Sequence, residues 1–253
     1  MQIIAVQKMI NCFDERGGIP YLNTHMSMSV LPFVAFFVVL HVVFINLPRA
    51  NFNRAMKLSR GIAAVILSVI GFYGLLANIG QWQSAFIYHH TGEEAAGGVL
   101  YYCMLVCMGH FIADLLWLIW GQLRYKIRPR ADLIIHHVIG IIAFGYALQH
   151  QLAYVACLVT MASEVMPVTT GIAAYGQRVQ NMGIVTFANR WRFLLLVWWR
   201  VPLWAAMVIL SVRVLIGGSY SDDLFVAYII STAGFSALLL LDRFWIKRCL
   251  AAN

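Results

Sequence analysis

The stretch GIAAVILSVIGFYGLLANI, Gly61–Ile79, decides the fold class. It holds nineteen consecutive residues without a charge. A helix of that length rises about 28 Å, close to the hydrocarbon thickness of a bilayer. Arg54, Lys57 and Arg60 stand just before it. Moving outward, six more stretches of the same kind appear: Ser29–Leu47, Gly98–Trp120, Leu133–Leu148, Leu152–Ala174, Phe193–Ile216 and Leu224–Ile246. The pattern predicts an all-α polytopic membrane bundle of seven transmembrane helices. The fourth run is short and meets the fifth through Gln149–Gln151, which predicts a hairpin.

The composition agrees. Of 253 residues, 62% are apolar and 11% charged, against about 25% charged in soluble domains. A soluble chain of this size has no core large enough to hide that surface. The net charge of +8 does not form one stripe, which argues against nucleic acid as a partner. The basic residues sit in short clusters between apolar runs instead, as in loops facing an anionic membrane surface. The five cysteines (Cys12, Cys103, Cys107, Cys157, Cys249) contain no CxxC pair, so neither a zinc site nor a disulfide framework is expected. Residues 1–28 do not read as a signal peptide, because Gln7 and Lys8 break their apolar run. They read as an extramembrane segment lying at the interface or outside. The remaining divisions are 29–56 (first span and basic loop), 57–247 (six-helix membrane domain) and 248–253 (tail).

Loop charges orient the bundle. The first, third and fifth loops carry Arg49, Arg54, Lys57 and Arg60, then Arg124, Lys126, Arg128 and Arg130, then Arg178, Arg190 and Arg192. The second and sixth carry only Glu93 and Glu94, and Asp222 and Asp223; the fourth is uncharged. Basic loops alternate with non-basic ones, and the tail is basic again. The positive-inside rule then predicts an outside or luminal N-terminus and a cytoplasmic C-terminus.

Ionisable groups inside a span cost about 2.5–3.5 kcal/mol each on insertion scales and mark functional sites. His41, His110, Asp114, His136, His137, Glu164 and Arg200 are such groups. Counted along their helices, they lie in one layer roughly 5–15 Å from the cytoplasmic ends. A shared layer predicts a polar cavity open to the cytoplasm. Asp114 stands four residues after His110, so these two can also satisfy each other, and Arg200 can serve as counter-charge to Glu164 or Asp114. His41 is expected to bond a neighbouring carbonyl, and Trp198, Trp199 and Trp204 to pack against lipid. His89 and His90 are expected at the outer interface. The pair His136–His137 resists a packing explanation, because adjacent helix residues point about 100° apart. Imidazole serves as acid, base or nucleophile near neutral pH. Asp132, four residues before His136, is placed to orient its ring, as are Glu164 and Asp114 from neighbouring helices.

These residues resemble a known signature. Asp132-Leu-Ile-Ile-His136-His137 is similar to the motif of the TLC-domain family, which includes ceramide synthases and the neuronal ceroid lipofuscinosis membrane protein. Gly109-His-Phe-Ile-Ala-Asp114, Ser163-Glu164-Val-Met-Pro167 and the stretch Phe193 to Arg200 resemble further family segments in the same order. A lone Glu164 replaces the paired aspartates of the synthases, and His110 stands where the family usually has Tyr. The chain therefore looks closer to the non-synthase branch. The resemblance implies an acyltransferase that moves a fatty acyl group from acyl-CoA to a lipid acceptor. His136 and His137 would act with Asp132, Glu164 and Asp114, while His110, Arg200, Arg128 and Arg130 would bind substrate. No metal or resident cofactor is implied; membrane lipids, acyl-CoA and a second copy of the chain are the partners. The endoplasmic reticulum would be its compartment in a eukaryote and the inner membrane in a bacterium. A non-catalytic lipid-binding or lipid-sensing protein is the other reading. A retinal protein is disfavoured because Lys247 stands at a helix end, and a di-iron oxidase because it needs more histidine clusters than one pair.

Overall fold

The computed structural model describes residues 24–47, 51–77, 99–150, 152–218 and 222–250. Expectations for residues 1–23, Glu93, Glu94, His89 and His90 lie outside them. Among the described residues every regular element is helical: α1 (Thr24–Ile45), α2 (Phe52–Ala77), α3 (Val99–Tyr125), α4 (Ala131–His150), α5 (Tyr154–Ala162), α6 (Val165–Arg178), α7 (Met182–Leu195), a π turn (Leu196–Arg200), α8 (Val201–Gly217) and α9 (Asp222–Leu250).

Each apolar run is a helical unit. Six units are long and apolar enough to cross a membrane: α2, α3, α4, α5 with α6, α7 through α8, and α9. The apolar part of α1, Val30–Ile45, is shorter. The helices overrun the apolar runs because local signals extend them. Asn51 accepts from the Arg54 amide at 2.8 Å, which caps α2 nine residues before Gly61. Arg54, Lys57 and Arg60 are thus helical rather than in a loop, and a boundary at residue 57 falls inside α2. Asn181 caps α7 in the same way through the Ile184 amide, so the sixth unit starts about three turns before Phe193.

The packing closes a ring. α2 packs on α3, α3 on α4, α4 on α9, α9 on α8, α7 on α6, and α6 back on α2. α1 lies outside, against α2 and α3. The expected α4–α5 hairpin is only a corner. Ala153 turns it with φ 58°, and the two helices then diverge, α4 toward α3 and α9 and α5 toward α2.

One crossing sets the spacing of the ring. A Cβ on Gly61 would stand 2.8 Å from the Cα of Gly171, and one on Gly171 would stand 2.9 Å from the Cα of Gly61. α2 and α6 therefore touch backbone to backbone, as small residues permit between membrane helices. Side chains from Val30 to Ala162 form the largest apolar core, between α1, α2, α3, α4 and α5. The faces of Val39, Val69, Ile142, Trp198, Ile209 and Leu240 are exposed, as suits a lipid-facing exterior.

Candidate functional site

Two carboxylate–histidine pairs stand side by side within the ring. From α4, His137 places Nε2 2.6 Å from Oδ2 of Asp114 on α3. The other Asp114 oxygen accepts from Arg60 Nε of α2 at 2.6 Å and lies 3.5 Å from His41 Nε2 of α1. One buried carboxylate thus ties together four helices. His136 places Nε2 3.3 Å from Oε1 of Glu164. Glu164 stands between α5 and α6, where the unit breaks. Pro167 explains the break: it lacks the amide that would bond the Ser163 carbonyl.

The rings are close. His136 and His137 centroids are 5.2 Å apart, and Phe111 lies 5.7 Å from the first and 5.1 Å from the second. Both histidines, Asp114 and Glu164 are buried. An ionised carboxylate only accepts, so His137 Nε2 carries the proton toward Asp114 and its Nδ1 keeps its lone pair. His136 faces Glu164 as an ion-pair contact, with Glu164 Oε1 left without a hydrogen-bond partner among the described residues. Neither Nδ1 has a hydrogen-bond partner among the described residues. Each histidine thus has one nitrogen facing a carboxylate, hydrogen-bonded in His137 alone, and a buried second nitrogen without a partner. This arrangement suits an imidazole to act as a base or a nucleophile.

His136 also lines a narrow slot between α4, α5 and α9. Its walls are apolar: Ile139, Ala143, Phe144, Leu152, Ile230 and Leu238 are among them. The shared polar layer predicts a polar cavity opening toward the basic end of the bundle; the walls of this one are apolar. The slot starts at His136 and runs toward the α4–α5 corner, reaching Tyr146, about 15 Å further along α4.

Several expected partners are exchanged. Asp132 does not orient His136. Its Oδ2 accepts from Trp245 Nε1 at 2.7 Å, and both its oxygens are engaged by Arg130. Arg130 is thereby taken up in an exposed ion pair, and Arg128 is exposed on the α3–α4 connection; neither lines the slot. His110 does not bond Asp114. Its ring packs 5.1 Å from Phe37 and 6.0 Å from His137, behind the pair. His41 meets Asp114 rather than a carbonyl. Arg200 pairs with Asp242 of α9 at 3.1 Å, not with Glu164 or Asp114. Trp204 is fully buried and donates to the same Asp242 oxygen at 3.0 Å, whereas Trp198 is 76% exposed.

The sequence reading omits Arg60 and Asp242. Arg60 reads as a loop cation when the apolar run is taken to begin at Gly61. Asp242 is an acid inside the run Leu224–Ile246, and that position was the available signal. Among the described residues no three His, Cys, Asp or Glu side chains are placed to share a metal ion. Comparison with protein-family models, curated proteins and solved structures finds no match.

Proposed function

We propose that the chain is a seven-span membrane protein, N-terminus outside and C-terminus cytoplasmic, that transfers a fatty acyl group from acyl-CoA to a lipid acceptor. The observation that carries this reading is His136, whose Nε2 faces Glu164 and whose unpartnered Nδ1 belongs to a residue at the head of an apolar slot. A hydrocarbon chain suits those walls. In the proposed step His136 Nδ1 attacks the thioester carbonyl carbon. The C–S bond breaks, and CoA leaves as a thiolate that takes a proton from water. The Nε2 proton of the acyl-imidazole moves toward Glu164. The acceptor's nucleophilic group then attacks the same carbon, the C–N bond breaks, and His137 Nδ1 takes the acceptor's proton. The resemblance to the TLC-domain family in four ordered segments supports the same chemistry. It also supports the endoplasmic reticulum of a eukaryote, or the inner membrane of a bacterium, as the site of action.

The test is incubation of purified protein with radiolabelled palmitoyl-CoA and membrane lipid extract. A labelled adduct or acylated lipid is expected, lost in His136→Ala. A wild-type protein that retains lipid but forms neither adduct nor product would overturn acyl transfer in favour of the lipid-binding reading.

A further inference from the structure

A second polar cluster lies past the slot's head, between the π turn, α8 and α9. Arg200 closes the π turn and is 1% exposed; Asp242, which it pairs with, is fully buried. The guanidinium sits 5.5 Å from the Trp204 ring and 5.3 Å from the Trp245 ring. Its Nε and Trp204 Nε1 both donate to Asp242 Oδ2. The pairing is one-pronged: Arg200 Nη2 and Asp242 Oδ1 are buried and have no hydrogen-bond partner among the described residues. Guanidinium and carboxylate usually close such a fork with two parallel bonds. Here each ion keeps one open valence in an apolar setting, where an unmet polar group carries its full desolvation cost.

The cluster continues the slot. Ser231, Phe235 and Leu238 line the slot from α9, and Asp242 and Trp245 follow at the same three- and four-residue spacing, so they share that helix face. Trp204 stacks on Phe235 at 5.5 Å. Trp245 lies 6.1 Å from His136 and is fixed by its bond to Asp132. The α9 face that lines the slot thus continues, beyond the slot's own lining, to a buried open donor and a buried open acceptor.

We propose that Arg200 and Asp242 form a headgroup site for a neutral group that both donates and accepts a hydrogen bond, a lipid hydroxyl being the simplest, with the lipid's chain in the slot. The donor–acceptor count selects it. A hydroxyl accepts from Arg200 Nη2 and donates to Asp242 Oδ1. An ammonium has no lone pair for Arg200 and is repelled by it; a carboxylate or phosphate is repelled by Asp242; an ether has nothing to donate. This is a statement about binding and holds whether or not His136 transfers an acyl group.

The test uses the purified full chain in detergent without acyl-CoA. Native mass spectrometry would follow competition among equal amounts of cetyl alcohol, cetyl methyl ether, cetylamine and palmitate. The alcohol adduct is expected to exceed each of the others about tenfold. The double variant Arg200→Met with Asp242→Leu, which removes both charges at similar volume, should bring the alcohol-to-ether ratio to about one while the chains still bind. Wild-type protein that takes ether as well as alcohol would overturn the proposal and assign the open valences to water. Preference for the amine or the carboxylate would also overturn it. So would an alcohol preference that survives in the double variant.

Discussion

Replacing Gly61 by alanine tests the geometry that holds the site together. The added Cβ would lie 2.8 Å from Gly171 Cα and 3.3 Å from its amide nitrogen. Ordinary contact begins at 3.4 Å, so α2 and α6 must part by at least about 0.6 Å, and backbone cannot rotate out of the way as a side chain can. Overpacking of this kind costs about 1–3 kcal/mol. Alanine's better helix propensity returns somewhat under 1 kcal/mol, which leaves a net loss of about 0–2 kcal/mol against wild type but the full about 1–3 kcal/mol against an unhindered Gly→Ala change. At roughly 2–4 °C per kcal/mol for a chain of this size, Tm should lie about 2–12 °C below that of such a control. The effect should also reach the site. Arg60 precedes Gly61, and its 2.6 Å bond to Asp114 has little room for such a displacement. Thermal unfolding followed by tryptophan fluorescence reads the change. Gly145→Ala is the control: a Cβ there meets nothing within 4 Å, so its Tm should hold or rise. A Gly61→Ala protein as stable as Gly145→Ala would refute the close crossing.

Asp114→Asn should cost about 3 kcal/mol, because it leaves Arg60, only 16% exposed, without its counter-charge; the double variant Arg60→Met with Asp114→Leu should recover most of that loss in the same melting experiment. In a background without native cysteines, Arg128→Cys should label with a membrane-impermeant thiol reagent only from the cytoplasmic side and Gly218→Cys only from the opposite side. Labelling of both from one face would remove the proposed orientation.

Much of the fold was legible because bilayer thickness acts on whole segments. Every apolar run became a helical unit, and each end moved where a polar cap or a longer helical stretch outweighed the hydropathy boundary, as at Asn51 and Asn181. The site was legible only as a set of residues. His136, His137, Asp114 and Glu164 do come together, because each was costly to bury alone. Their pairings were not readable, since a partner across the ring depends on helix rotation and on which spans are neighbours. Sequence spacing favoured Asp132 for His136 and His110 for Asp114, both at four residues. The structure prefers Glu164 and His137, which approach from other helices. Asp242 lies inside the apolar run Leu224–Ile246 beside Arg243, and the sequence does not say which way it faces. Only the helix face that it shares with Leu238 and Trp245 turns it inward.

The π turn at Leu196–Arg200 has a consequence for how this chain can vary. Such a turn holds one residue more than an α-helical path between the same points would need. A single-codon deletion among residues 196–199 would therefore turn the segment into regular α-helix and leave Arg200 and Trp204 against Asp242. The same deletion elsewhere in the span would rotate all that follows by about 100°. One-residue gaps should thus be tolerated in this segment and selected against in the rest of the span, an evolutionary signature that hydropathy alone would never register.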